Sequence, residues 1–178
     1  MALHDERLAS NRRGFLKGGI GLLAMTIMPS GLVVGQAWAN MPRSTQPQTF
    51  ATLVQMSRDC YPHPQIEDKF YANAVNILDE AARASAEERD LLESNVAELD
   101  RSAQEAHGTR YSEIESEDDR TALLKLIEDG DFFRKVRSNL TVGLYNQKEL
   151  WPLFGYEGAS ADKGGYLDRG FNDIDWIS

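Results

Sequence analysis

Ser85-Ala86-Glu87-Glu88-Arg89-Asp90-Leu91-Leu92-Glu93-Ser94-Asn95-Val96-Ala97-Glu98-Leu99-Asp100-Arg101-Ser102-Ala103-Gln104-Glu105-Ala106-His107-Gly108 is the stretch that decides the fold class. It opens as a capping box, with Ser85 placed to accept the backbone N–H of Glu88 and Glu88 placed to reach back. Leu92, Val96, Leu99 and Ala103 then recur at alternating steps of four and three, which puts all four on one helical face. Gly108 follows the last of them where a helix stops. Cap, stripe and stop agree on a helix, and the segments on either side repeat the pattern.

Upstream, Phe70, Ala74, Ile77, Leu78 and Ala81 give a second apolar face. Thr49 is a candidate N-cap for a first helix carrying Phe50, Leu53, Val54 and Tyr61, ended by Pro62 and Pro64. Downstream, Ser116 to Asp119 repeats the cap logic before Leu123, Leu124 and Ile127. Gly130 breaks the chain, and Asp131 is placed to cap a helix with Phe132, Phe133, Val136, Leu140 and Leu144. No run alternates as a half-buried strand does, so the expectation is all-α. The expected layout is a small helical bundle over 49–150, preceded by a linker at 40–48 that holds Pro42 and Pro47. After Pro152 the pattern changes. Gly155, Gly158, Gly164, Gly165 and Gly170 interleave with Trp151, Phe154, Tyr156, Tyr166, Phe171 and Trp176, so 151–178 reads as an irregular aromatic and glycine-rich arm.

With 178 residues, 42% of them hydrophobic and 26% charged, the composition is that of one globular domain. A net charge of −9 offers a nucleic acid little electrostatic support. The histidines are His4, His63 and His107, and the one cysteine, Cys60, is too few thiols for an iron–sulfur cluster, a structural zinc or a covalently held haem.

The first 39 residues read as an address. Asn11-Arg12-Arg13-Gly14-Phe15-Leu16-Lys17 sets paired arginines before the uncharged stretch Gly18–Ala39. That stretch ends in Ala37-Trp38-Ala39, a small-x-small pattern suited to signal peptidase, with Asn40 as the expected first residue of the mature chain. Paired arginines and a weakly apolar, glycine-bearing core match a twin-arginine export signal, with Arg12, Arg13, Phe15 and Leu16 as its recognition residues. The other reading is an uncleaved anchor, since the stretch is long enough to span a bilayer, although Pro29, Gln36 and the glycines lower its hydropathy.

The chemical inventory is thin. Neither His63, in a Pro-flanked turn, nor His107, near a helix end, has a second histidine or cysteine at ligand spacing, so surface or capping roles are expected. Glu128-Asp129-Gly130-Asp131 lacks the alternating ligands of a calcium loop. Glu113, Glu115, Glu117, Asp118 and Asp119 read as a solvated, cap-favouring run. The glycosylation triplet at Asn139 falls inside a helix, and no nucleophile–base set stands out. Cys60 has two readings: a small buried apolar residue, or the donor of an inter-subunit disulfide. The arm also has two. It wraps the bundle, or it presents aromatic anchors to a partner.

Twin-arginine export carries folded proteins, often with a cofactor inserted, yet this chain has no visible means of holding one. The mismatch disappears if it folds on a cofactor-bearing partner and its signal serves both. Against that background the chain resembles the gluconate 2-dehydrogenase subunit 3 family. The resemblance lies in Tyr61-Pro62-His63, in Phe132-Phe133 with Arg134 and Arg137, and in Gly143-Leu144-Tyr145. It continues in Trp151-Pro152-Leu153-Phe154-Gly155-Tyr156-Glu157-Gly158 and Gly164-Gly165-Tyr166. It covers roughly residues 49–170 and the export signal. The family implies a non-catalytic small subunit of a membrane-associated periplasmic dehydrogenase. Its partner there is a flavoprotein of the glucose–methanol–choline type that holds FAD and oxidises a sugar, sugar acid or polyol. Electrons pass to a cytochrome c subunit holding haem c. Carried over by position, Trp151, Gly155, Tyr156, Gly158, Gly164, Gly165 and Tyr166 are partner-facing or arm-shaping. The alternative function is an independent exported periplasmic binding protein that uses the aromatic arm to hold a ligand; an enzyme in its own right has the least support.

Overall fold

A computed structural model describes residues 42–167 and Phe171. It contains five α-helices: α1 (Pro47–Cys60), α2 (Asp68–Ala84), α3 (Ala86–His107), α4 (Glu117–Lys125) and α5 (Asp131–Gly143). Short 3-10 turns occupy Tyr111–Glu113, Lys148–Phe154 and Ser160–Lys163, and no strand occurs among the described residues. The chain is an all-α bundle, with α2 packed against α1, α3 and α5 around one apolar core.

α3 begins and ends where its local signals put it. Ser85 accepts the Glu88 N–H, Gly108 turns left-handed at φ 73°, and the buried residues are Leu92, Val96, Leu99 and Ala103. The glutamate half of the capping box goes elsewhere: Glu88 pairs with Lys135 Nζ of α5 at 2.5 Å. Ser116 likewise caps α4 through the Asp119 N–H at 3.2 Å.

Three local expectations are corrected. α1 starts at Pro47, inside the stretch read as linker, with Gln46 at the N-cap. Thr49 is therefore in the first turn, and its hydroxyl bonds the Glu93 carboxylate on α3 instead of capping its own helix. Proline is preorganised for a first helical position, and that outweighs the missing cap. Asp131 is the first residue of α5, not its cap, and its carboxylate takes Arg134 at 2.7 Å while Gly130 holds the cap position. The buried surface of α2 is wider than the expected face. Ala74 and Leu78 are buried as expected, Tyr71, Val75 and Ala82 are buried with them, and Ile77 is half exposed, because three helices surround α2 and bury more than one stripe of it.

Two buried carboxylates tie the bundle together. Asp59, at the end of α1, accepts Arg120 Nε and Nη2 at 2.9 Å each and the Tyr111 hydroxyl at 2.6 Å. Arg120 Nη1 donates to the carbonyls of Ile114 (2.7 Å) and Glu115 (3.0 Å), so all three guanidinium nitrogens and both carboxylate oxygens are hydrogen-bonded, and the side chains of Asp59 and Arg120 are only 1% and 7% exposed. The acidic run is solvated as expected, with Glu115, Glu117, Asp118 and Asp119 exposed and the last three in the first turn of α4, while Ile114 within it and Arg120 after it are buried. Asp79, on α2 and 3% exposed, accepts the N–H groups of Arg43 (2.7 Å), Ser44 (3.2 Å) and Thr45 (2.7 Å) and the Thr45 hydroxyl (2.7 Å). Residues 43–45 are therefore strapped to α2.

α2 and α5 cross closely at Gly143, where an added Cβ would lie 3.2 Å from both Cα and Cβ of Ala74. Beside the crossing, Asn139 Nδ2 donates to the Ala74 carbonyl at 2.8 Å, so the asparagine of the glycosylation triplet serves the helix packing. The crossing delivers Leu144 and Tyr145 to the turn that follows α1.

Candidate functional site

The turn after α1 is built around tyrosines. Pro62 and Pro64 cannot continue the helix. The Tyr71 hydroxyl donates to the Tyr61 carbonyl at 2.5 Å and accepts the His63 N–H at 3.3 Å. His63 N–H also reaches the Tyr61 carbonyl at 3.0 Å, closing a tight turn that fixes the imidazole. Its Nε2 lies 2.6 Å from the Tyr145 hydroxyl. Burial, with Tyr61 and Tyr71 nearby, raises the Tyr145 hydroxyl above its ordinary value.

The aromatic rings meet edge to face around this hydrogen bond. Tyr61 and His63 each stand 5.7 Å from Tyr145, and Phe154 stands 5.4 Å from both His63 and Tyr145. Such edge-to-face pairs align ring edge and face electrostatically and add to the area they bury. Trp151 Nε1 donates to the Tyr145 carbonyl at 3.0 Å, and its ring packs 5.0 Å from Tyr156. The buried Leu150 anchors the same turn in the core.

Glycine does specific work here. Gly158 sits at φ 98° and an added Cβ would lie 3.4 Å from the Trp151 ring, so backbone conformation and close approach coincide. Gly155 at φ 68° reverses the chain after Phe154, and the Tyr156 N–H then returns to the Trp151 carbonyl at 2.9 Å.

Three of the five stretches that carry the family resemblance therefore meet in one cluster: Tyr61-Pro62-His63, Tyr145 after Gly143, and Trp151 to Gly158. His63, expected only to be a surface or capping residue, is its hub, and Tyr145 and Phe154 were not singled out by residue chemistry. The clue was the aromatic content of those stretches; their meeting depends on the α2–α5 crossing. Of the proposed partner-facing residues, Tyr156 and Tyr166 are 50% and 60% exposed, while Trp151 is half-buried inside the arm. Gly155, Gly164 and Gly165 shape turns at positive φ. Phe154 and Leu153, 41% and 50% exposed, extend the apolar edge of the cluster. The arm both packs on the bundle, through Leu150 and Trp151, and presents side chains outward.

Cys60 lies on the other side of Tyr61, in a cleft of about 290 Å3 whose walls include Leu124, Lys125, Phe133 and Arg137. It is unpaired, and burial, then the Asp59 charge, push its thiol up to about 12 despite Arg137. Apart from Tyr61, none of the cluster's aromatic residues lines this cleft.

Among the described residues no group of three His, Cys, Asp or Glu side chains could hold a metal ion, and no helix is long and apolar enough to cross a membrane. Arg12, Arg13, Phe15, Leu16, Ala37 and Ala39 lie outside the described residues. The chain matches no family model, no curated protein and no solved structure.

Proposed function

We propose that this chain is the non-catalytic small subunit of an exported dehydrogenase complex. In this reading it stabilises a flavin-dependent partner of the glucose–methanol–choline type and escorts it through the twin-arginine translocase. The partner oxidises a sugar, sugar acid or polyol on its FAD and passes electrons to a cytochrome c subunit carrying haem c. This chain holds neither group. It works in the periplasm, associated with the membrane through its complex.

The observation that supports the reading is the convergence at Tyr145. Sequence stretches from His63 to Phe154, singled out for their resemblance, pack around one Tyr–His hydrogen bond and leave Phe154 and Tyr156 facing outward. Aromatic side chains held rigidly at a surface lose little entropy on docking and suit a protein partner. A ligand-binding protein would be expected to turn them inward around a pocket.

The test is export of the partner. Replacing Arg12 and Arg13 with Lys should leave both this chain and the co-expressed flavoprotein in the cytoplasm, measured by flavoprotein activity in periplasmic and cytoplasmic fractions. Normal partner export in that strain would remove the escort role.

A further inference from the structure

The cleft beside Cys60 lies apart from the aromatic edge, and its walls have the make-up of a small-molecule site. α4 and the turn that continues it contribute Thr121, Leu124, Lys125 and Glu128, whose spacing puts them on one helical face. α5 adds Phe133 and Arg137, one turn apart, and the end of α1 adds Cys60 and Tyr61. About 290 Å3 is the volume of roughly ten waters, at the lower end for small-ligand pockets. Tyr61, Leu124 and Phe133 make its walls apolar. Cys60 belongs with them, because a thiol pushed up to about 12 stays uncharged and does not repel an anion.

The charges at the rim are unevenly committed. Asp59 is spent on Arg120 and Tyr111. The chain has 28 acidic residues against 19 basic ones, and Arg58, Arg83, Arg101 and Arg134 all find carboxylates. Lys125 and Arg137 are exposed at this rim and carry no ion pair or side-chain hydrogen bond among the described residues. Glu128 opposes them, which leaves two cations against one uncommitted carboxylate around an apolar hollow.

We propose that this cleft binds a free small monocarboxylate with a flat apolar body, its carboxylate held by Lys125 and Arg137. A guanidinium and an ammonium that lack protein partners give the carboxylate charge-assisted hydrogen bonds at no cost in broken ion pairs. The apolar body lies against Tyr61, Leu124 and Phe133, where aromatic walls favour a flat ligand. Thr121, whose hydroxyl has no protein partner among the described residues, offers a further donor. The site shares only Tyr61 with the aromatic cluster, so it stands whether or not the chain is a dehydrogenase subunit.

The experiment titrates para-fluorobenzoate with the purified full-length chain and follows the ligand by fluorine NMR. The uncharged amide of the same shape, para-fluorobenzamide, is the control. The expected result is saturable broadening of the carboxylate signal, with the amide bound roughly tenfold more weakly or worse, the factor for losing one hydrogen bond to a charged group. Arg137→Gln should weaken carboxylate binding by about the same factor, and Lys125→Gln should act in the same direction. Glu128→Gln should tighten it, because it removes the opposing charge. All three side chains are exposed, so circular dichroism should show the bundle unchanged. Equal binding of acid and amide would overturn the proposal, as would an affinity that none of the three substitutions moves. Absence of saturable binding would overturn it too. Co-purification of a flavoprotein is read separately and is untouched by either result.

Discussion

Arg120 is the residue whose removal the bundle should tolerate least. Its guanidinium is shared between Asp59 and two backbone carbonyls at the end of α1 and the start of α4, with almost no solvent contact. Truncating one member strands the other as an uncompensated buried charge. Arg120→Ala should therefore cost about 3–5 kcal/mol, measured by urea denaturation. Replacing both members with apolar side chains, as Asp59→Leu with Arg120→Met, should recover much of that loss. Asp79 makes a different prediction, in pH. Burial raises its pKa, but the N–H groups of Thr45 and Arg43, the Thr45 hydroxyl and the Ser44 N–H outweigh it, and the carboxyl titrates below its ordinary 3.8. A depressed pKa stabilises the fold above the unfolded value, and that stability is lost as pH falls through the folded one. Acid denaturation below about pH 4 should therefore be less steep in Asp79→Asn than in the unaltered chain. Neither carboxylate was legible in the sequence. Apart from Gln55, four residues before Asp59, their partners lie 34 to 61 residues away and are brought close only by the fold, and nothing about an aspartate in a polar run announces that it will be buried.

At the scale of elements, the α2–α5 crossing is the weakest point for added volume. Gly143→Ala would push a Cβ against Ala74, whose Cα cannot swing aside as the tip of Ile77 can. A cost of about 1–3 kcal/mol is expected, read as a lower thermal midpoint with helicity preserved. Because the same crossing sets Tyr145 under His63, the variant should also change tyrosine fluorescence near the cluster. The sequence predicted α3 well because Ser85, the Leu92–Ala103 stripe and Gly108 are all local signals. It misjudged the start of α1 because Glu93 and Asp79, both distant, hold that end. The buried surface of α2 exceeds the expected face for a similar reason. Periodicity picks the single most apolar stripe, yet a helix enclosed on three sides buries Tyr71 and Val75 as well and leaves Ile77 at the rim.

For the whole molecule, the arm's character could be read from its glycines and aromatics, but its attachment could not. That Trp151 faces inward and Tyr156 outward follows from the left-handed turn at Gly155 and from the indole hydrogen bond to Tyr145. The distinction matters for testing the partner-facing surface. Trp151→Ala would disturb the arm itself, whereas Phe154 and Tyr156 can lose their exposed rings with the bundle intact. The most direct measurement is affinity purification of the tagged chain from the cell envelope, read by flavin absorbance and mass spectrometry and repeated with Phe154→Ala and Tyr156→Ala combined. The proposed subunit role predicts a co-eluting flavoprotein whose recovery falls roughly tenfold or more in the double variant while helicity is unchanged, the size expected for loss of aromatic anchors. A chain that elutes alone and colourless, or a flavoprotein retained equally by both forms, would contradict it.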